Sequence, residues 1–432
     1  MATSTHYMMA VGQVLQKSEA KRRGVRTLGR TVRLAGGIPF KFLGRPISGP
    51  QCVTVSLVID DLDWDTVSRL GDRFAMRAGS HFARVYRDLA AVRVEFTLPS
   101  AQWREVRLQN LPSHKGTITV GQRALGPVAR LDMDNNPHKA IFGSTRTGKT
   151  SLEAAIIVSL ARTHSPEELQ FLIINPKNDP AFYPFERLAH LAAPVATGYD
   201  TAVEMLRLAL REMEERRQNR SLQRVRLMVM IDEVAQLTEI RPEAGPMITQ
   251  LSQLAGGLGF NLIVASQAAN PSTFGEKGSL AQANFLSRIS LQLPDDQAYM
   301  ALRVKGQHTG QLGSPDGTGK GDALATNGGP VVRFRGALVQ EVDYEALPRR
   351  ESAPALPEQA ELAGDQVIRS GEWSKMVDPD HLAYALTVRD SATAIQKQFG
   401  GSMDRARLVR DYALKLRERA DYWIKVKKGA GG

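Results

Sequence analysis

Between residues 126 and 340 short apolar runs alternate with longer stretches of helical period: KAIFG, LQFLIIN, RLMVMID, FNLIVAS and RISLQL, with helices such as TAVEMLRLALREMEERRQNR between them. Apolar runs of that length without polar alternation suit strands covered on both faces, so the pattern predicts an α/β unit on a mostly parallel sheet. Ahead of it, residues 46–125 read as a small α/β domain. Val53, Val55, Leu57 and Ile59 alternate as in a strand, a helix opens at Asp63 or Asp65, and AAVRVEFTLP at 90–99 supplies a second strand. Residues 349–372 are rich in Ala, Pro and Glu with no clean period and read as a linker. Beyond them, 373–432 holds three helix candidates, the last with Ala406, Val409, Ala413 and Leu416 at helical spacing. No internal repeat is evident.

Charge changes this picture at the two ends. The chain of 432 residues carries a formal +11. Residues 1–50 hold nine Lys or Arg against Glu19 alone, and 381–428 hold eleven bases against five acids. Residues 1–45 are therefore a basic leader, and both ends suit a polyanion such as nucleic acid, or are simply solvated basic tails. The lone Cys52 supports neither a disulfide framework nor a zinc cluster, and it suits a reducing cytoplasm. No apolar run is long enough for a membrane helix, and the N-terminus lacks the apolar stretch of a signal peptide.

The candidate chemistry lies in IFGSTRTGKT. Gly143, Gly148, Lys149 and Thr150 fit G-x-x-x-x-G-K-[ST], with a strand before and an apolar-faced helix after. In that setting Gly143, Ser144, Thr145, Arg146, Thr147, Gly148 and the helix start Lys149, Thr150 and Ser151 form a phosphate cradle for ATP. Backbone N–H groups and the helix dipole face the phosphates, Lys149 neutralises β/γ oxygens, and Thr150 holds Mg²⁺. RLMVMIDEVAQL ends a strand in Asp232 and Glu233; the first acid would position the metal and the second would polarise an attacking water. FNLIVASQ ends in Gln267, which would sense the terminal phosphate, orient water, or satisfy a strand end. GTGKGD at 317–322 lacks the leading glycine and the hydroxyl residue after Lys320, and reads as a flexible turn.

These segments, in order, resemble the FtsK/SpoIIIE DNA-translocating ATPases, a RecA-like, HerA-related class. The matching stretches are NNPHKAIFGSTRTGKTS, FLIINPKNDPAFYPFERLAHLAAPVAT, ALREMEERRQ, VMIDEVAQL, LAGGLGFNLIVASQAANPS and NFLSRISLQLPDDQAY with GDAL. More weakly, 46–110 is similar to the family's small α domain, and SATAIQKQFGGSMDRARLVRDYAL to its γ winged helix. The resemblance implies a RecA-like P-loop motor over 126–348, preceded by the small domain and followed by a winged-helix or helix-turn-helix domain over 373–432. It implies an ATPase that translocates double-stranded DNA as a ring homo-hexamer, without the membrane domain of many members. Arg288 would then serve as the arginine completing a neighbour's site, and Lys397, Arg405, Arg407 and Arg410 would approach DNA. A conjugation coupling protein or a type VII secretion ATPase is the alternative of related kind. Four departures stand out: Arg146 where many members have glycine, Asn175 for an aspartate before Pro176, no Arg-Pro pair in SQAANPS, and an apparent insertion over 313–321.

Overall fold

A computed structural model describes residues 4–17, 40–59, 64–88, 91–126, 128–219, 225–254, 256–275, 278–313 and 319–354. The chain divides into Met1–Pro357 and Glu358–Gly432, and all described residues fall in the first unit. The expected winged helix, most of the linker, and Lys397, Arg405, Arg407 and Arg410 lie outside the described residues.

The first part of the chain forms α1 (Ser4–Lys17), β1 (Phe40–Phe42), β2 (Ile47–Ser48), β3 (Cys52–Ile59), α2 (Trp64–Ser68), α3 (Gly71–Ala78), β4 (Ala83–Asp88) and β5 (Ala91–Thr97). Its antiparallel sheet runs β1-β3-β5-β4, with β2 also paired to β3. One core gathers Val53, Val55 and Leu57 from β3, Val94 and Phe96 from β5, Phe74 from α3 and Val11 and Leu15 from α1. The leader expected over 1–45 is thus not a separate tail in its described parts. The apolar stripe of α1 is buried in this core, and β1 is an edge strand.

The second sheet is built from β6 (Thr117–Arg123), β7 (Ala129–Asp132), β8 (Lys139–Phe142), β9 (Leu169–Asn175), β10 (Ala196–Thr197), β11 (Arg226–Ile231), β12 (Phe260–Ser266), β13 (Ser287–Ser290), β14 (Asp322–Asn327) and β15 (Val332–Gly336). Between them lie α4 (Lys149–Ala161), α5 (Tyr199–Gln218), α6 (Val234–Ile240), α7 (Ala244–Leu254), α8 (Gly278–Asn284) and α9 (Asp295–Leu302), with α10 (Glu341–Glu345) after the last strand. The order is β10-β9-β11-β12-β8-β13-β14-β15-β6-β7. Pairing is parallel from β10 to β13 and antiparallel from β13 to β7. The sheet is therefore mixed, with its parallel half as expected and an antiparallel half that was not.

The boundary at 125 moves for the same reason. By sequence pattern residues 117–123 belong to the small domain, yet β6 pairs with β15 and extends the large sheet. Ser159 of α4 accepts the Thr119 N–H at 2.8 Å, which fastens the helix to that strand. Helix α4 is buried on nearly every side, as its run of Ala, Ile, Leu and Val requires.

Candidate nucleotide-binding site

Parallel strands end on the same edge of a sheet, and the crevice beyond their carboxyl ends is where open α/β sheets take ligands. Strands β11, β12 and β8 are neighbours, with Ile231 opposite Val264 and Ser266 opposite Phe142. Asp232 and Glu233, Gln267 and the loop 143–148 consequently emerge side by side.

The loop has the conformation its glycines require. A Cβ on Gly143 would lie 2.8 Å from Thr147 Oγ1 and 2.9 Å from Leu291 Cβ, and Gly148 has φ +105°. Thr147 Oγ1 donates to the Ser144 carbonyl at 2.7 Å, and Ser144 N–H to the Gln292 carbonyl at 2.9 Å, which fixes the turn. Arg146 sits in the left-handed region at φ 67° with its side chain exposed. The backbone there demands a conformation in which a Cβ is strained and which glycine adopts freely.

The N–H groups of Thr145, Arg146, Gly148, Lys149, Thr150 and Ser151 have no acceptor among the described residues. Unsatisfied donors at a helix start form an anion site, and a glycine loop leading into α4 gathers them around one point. The cradle fits a polyphosphate.

Lys149 is buried and its ammonium lies 2.5 Å from Asp232 Oδ1 and 3.7 Å from Glu153 Oε2. Burial alone would weaken its charge, but the carboxylates of Glu153 and Asp232 outweigh that and hold its pKa above the usual lysine value. Glu153, one helical turn along α4, has both carboxyl oxygens buried without a hydrogen-bond partner. Burial pushes its carboxyl well up, Lys149 opposes, and Asp232 and Glu233 add to the rise. Nothing in the sequence marked Glu153 except its being one acid in the apolar run TSLEAAIIVSLA.

Glu233 is the N-cap of α6 at φ 59° and is nearly fully buried. Its Oε1 accepts the Gln267 N–H at 3.1 Å, and its Oε2 lies 3.4 Å from the Lys177 ammonium. Lys177 was missed as a site residue, although NPK after a strand was part of the resemblance. Asn175 explains how it is placed: its amide donates to the Asp179 carbonyl and its side-chain oxygen accepts the Asp179 N–H, both at 3.0 Å, bracing the turn that carries Lys177. Gln267 Oε1 accepts from Thr145 Oγ1 at 3.1 Å, which joins the β12 end to the phosphate loop.

Thr150 is half-buried in the first turn of α4, beside Asp232's partner Lys149. Thr150 hydroxyl and Asp232 carboxylate supply oxygen donors alone, the chemistry a hard cation such as Mg²⁺ takes when substrate phosphates and water complete its shell.

Arg288 stands apart from this cluster. It is 3% exposed, and its guanidinium donates to the carbonyls of Gln282, at 2.5 Å, and Met300, at 3.2 Å, of its own chain. Burial and Arg303 push its pKa down to about 10. This geometry ties α8 and α9 to β13 and engages the guanidinium within its own chain.

The FtsK/SpoIIIE family model matches residues 101–236, a stretch from before β6 to the start of α6. The DNA translocase FtsK of Caulobacter vibrioides is 26% identical over 371 residues, covering 72% of this chain and 43% of that protein. The DNA translocase SftA of Bacillus subtilis is 30% identical over 298 residues, covering 62% of this chain and 29% of that protein. The chain thus matches less than half the length of these relatives. Among solved structures, the cytoplasmic domain of the Thermomonospora curvata type VII secretion ATPase EccC aligns with TM-score 0.49 at 22% identity, covering 56% of this chain and 32% of that one.

Proposed function

We propose, taking as premise that the chain belongs to the FtsK/SpoIIIE family, that it hydrolyses ATP to move double-stranded DNA, working as a ring homo-hexamer. The observation that carries the catalytic half is the convergence of six unpartnered N–H groups of the loop and helix start with Lys149, Asp232 and Glu233 on one sheet edge. The DNA half is supported by the family and by the name, DNA translocase, that its relatives carry.

Within the chain each group has a task. The loop N–H groups bind phosphate oxygens, and Lys149 exchanges its contact with Asp232 for one with the β/γ oxygens. Thr150 and Asp232 would hold Mg²⁺, which when bound supplies positive charge against the phosphates. Glu233 takes the proton of the attacking water, and its pairing with Lys177 and the Gln267 N–H keeps the carboxylate aimed into the crevice. Gln267, bonded to Thr145, reports on the state of the loop from the β12 side. Arg288 is left out of this site because its own chain occupies it.

DNA would be gripped by its phosphates, an interaction indifferent to sequence and weakened by salt. Sequence preference belongs in this reading to the tail, through Lys397, Arg405, Arg407 and Arg410.

Turnover of ATP with and without duplex DNA tests the proposal, together with ATP-driven stripping of a triplex strand. DNA should raise turnover and the third strand should be released. Glu233→Gln should still bind ATP while kcat falls about 10²- to 10⁴-fold, and Lys149→Ala should lose nucleotide binding. Turnover raised only by a protein substrate, with the triplex intact, would overturn the DNA assignment. Deleting residues 373–432 should spare basal turnover and reduce DNA loading; unchanged loading would remove the tail from the reading.

A further inference from the structure

The second glycine-lysine segment, GTGKGD, reads from sequence as a flexible turn away from the chemistry. Its described part lies against the phosphate loop instead. Gly321 N–H donates to the Thr147 carbonyl at 2.8 Å, and a Cβ built on Gly148 would come within 3.1 Å of Gly321 N. Gly321 adopts φ +77°, and its own carbonyl accepts the Gly336 N–H at 2.7 Å. The next residue, Asp322, is locked by the buried Arg333. Gly321 is therefore held from three sides as a wall of the loop.

Lys320, immediately before it, is exposed and forms no ion pair with any described residue. The topology fixes which flank it occupies. Strand β14 runs antiparallel to β13, with Leu324 opposite Ser290, and Ser290 is opposite Phe142 of β8. The start of β14 thus reaches the same edge as the phosphate loop. It does so on the β13 side of β8, whereas Asp232, Glu233 and Gln267 approach from the β12 side. With Glu233 as the base of the proposed site, the bond to be cleaved would lie toward the acids, and the rest of a bound nucleotide would extend toward the opposite flank.

We propose that Lys320 is a nucleotide-binding cation that contacts the α-phosphate end of the substrate, held there by the seating of Gly321 on Thr147. The assignment rests on the nucleotide site proposed above and adds a residue to it. A cation at that end meets the same groups in the diphosphate and the triphosphate. It therefore contributes uniform binding and leaves the chemical step to Glu233 and its neighbours.

The test is titration of the full chain with ADP and with ATP, plus steady-state turnover, for Lys320→Met and Lys320→Arg. In Lys320→Met the Kd of both nucleotides should rise by a similar factor, about tenfold, as expected for loss of one charge-assisted contact. KM should rise with it while kcat moves less than about twofold. Lys320→Arg should restore affinity, which a merely structural role for the turn would not require. A loss confined to ATP would place the residue at the terminal phosphate and overturn the assignment. So would a fall in kcat at constant KM, or unchanged affinity in Lys320→Met when Lys149→Ala abolishes binding. If the native chain binds neither nucleotide, the nucleotide reading itself falls and this one with it.

Discussion

Asp322→Asn is the substitution whose consequence the structure sizes most directly. Asp322 and Arg333 are both fully buried. Arg333 Nε donates to Oδ1 at 2.9 Å and Nη2 to Oδ2 at 2.5 Å, a forked pairing. Gln51 Nε2 adds a bond to Oδ1 and the Gly313 N–H one to Oδ2, each at 3.1 Å, so four donors converge on two carboxylate oxygens. An asparagine has one acceptor oxygen and brings two donors of its own. It therefore faces at least two of these N–H groups with another N–H, and leaves the guanidinium as an uncompensated buried charge. Removing one partner of such a pair costs about 3–5 kcal/mol, whereas removing both is often close to neutral. With a urea m-value of about 3 kcal/mol/M, that corresponds to a midpoint lowered by more than about 1 M. Equilibrium urea unfolding of the full chain followed by circular dichroism measures it. Asp322→Asn combined with Arg333→Met should recover most of the loss. A single-variant shift below about 0.3 M, or a double variant no better than the single, would refute the accounting. Because Gln51 and Thr97 of the small domain bond to this pair, small domain and large sheet should lose stability in the same transition.

Two further expectations concern stability. Arg146→Gly removes a side chain from φ 67° with no ion pair to lose among the described residues, so the urea midpoint should rise by the equivalent of about 0.5–1 kcal/mol; a fall would mean the guanidinium makes a stabilising contact. His138 is buried, its Nδ1 accepts the Leu262 N–H at 3.1 Å, and burial, then Lys139, pushes its pKa from 6.5 down to about 4. Between those two values the unfolded chain binds the extra proton, so stability present above pH 6.5 is lost as pH falls toward 4, by up to about 3 kcal/mol. His138→Asn, which keeps an acceptor without titrating, should flatten that acid slope in pH-dependent unfolding, and an unchanged slope would assign the acid loss to other groups.

The parallel half of the large sheet was legible because each strand is a continuous apolar run and the helices between them are long. Its antiparallel half was not. Strand β6, TITVGQR, alternates like the strands of the small domain before it, and only its partner β15, some two hundred residues on, assigns it to the large sheet. Local pattern carries the period of a strand and nothing about which distant edge it completes. That the phosphate loop, Asp232, Glu233 and Gln267 share one edge was legible because strand ends in a parallel sheet converge by topology. For Arg288 the run SRIS gives no hint that the carbonyls of Gln282 and Met300 accept from its guanidinium. GTGKGD reads as a flexible turn on motif grammar, which cannot see Gly321 bonded to the Thr147 carbonyl.

Backbone strain gives an independent reason to place the chemistry at this edge. Four non-glycine residues have positive φ among the described residues: Arg146, Asn178, Glu233 and Arg303. A side chain in that region costs free energy, and it persists only where surrounding structure over-determines it. Three of the four belong to one crevice. Arg146 is in the phosphate loop, Glu233 begins α6 directly after Asp232, and Asn178 lies in the turn that presents Lys177 to Glu233. Two of them are fixed by side-chain contacts: Glu233 by the Gln267 N–H and Lys177, and the Asn178 turn by the two bonds between Asn175 and Asp179. Neighbouring strands would fold as well with relaxed turns. What the strained ones accomplish is to bring a carboxylate, an ammonium and a row of open N–H groups to one edge of the sheet.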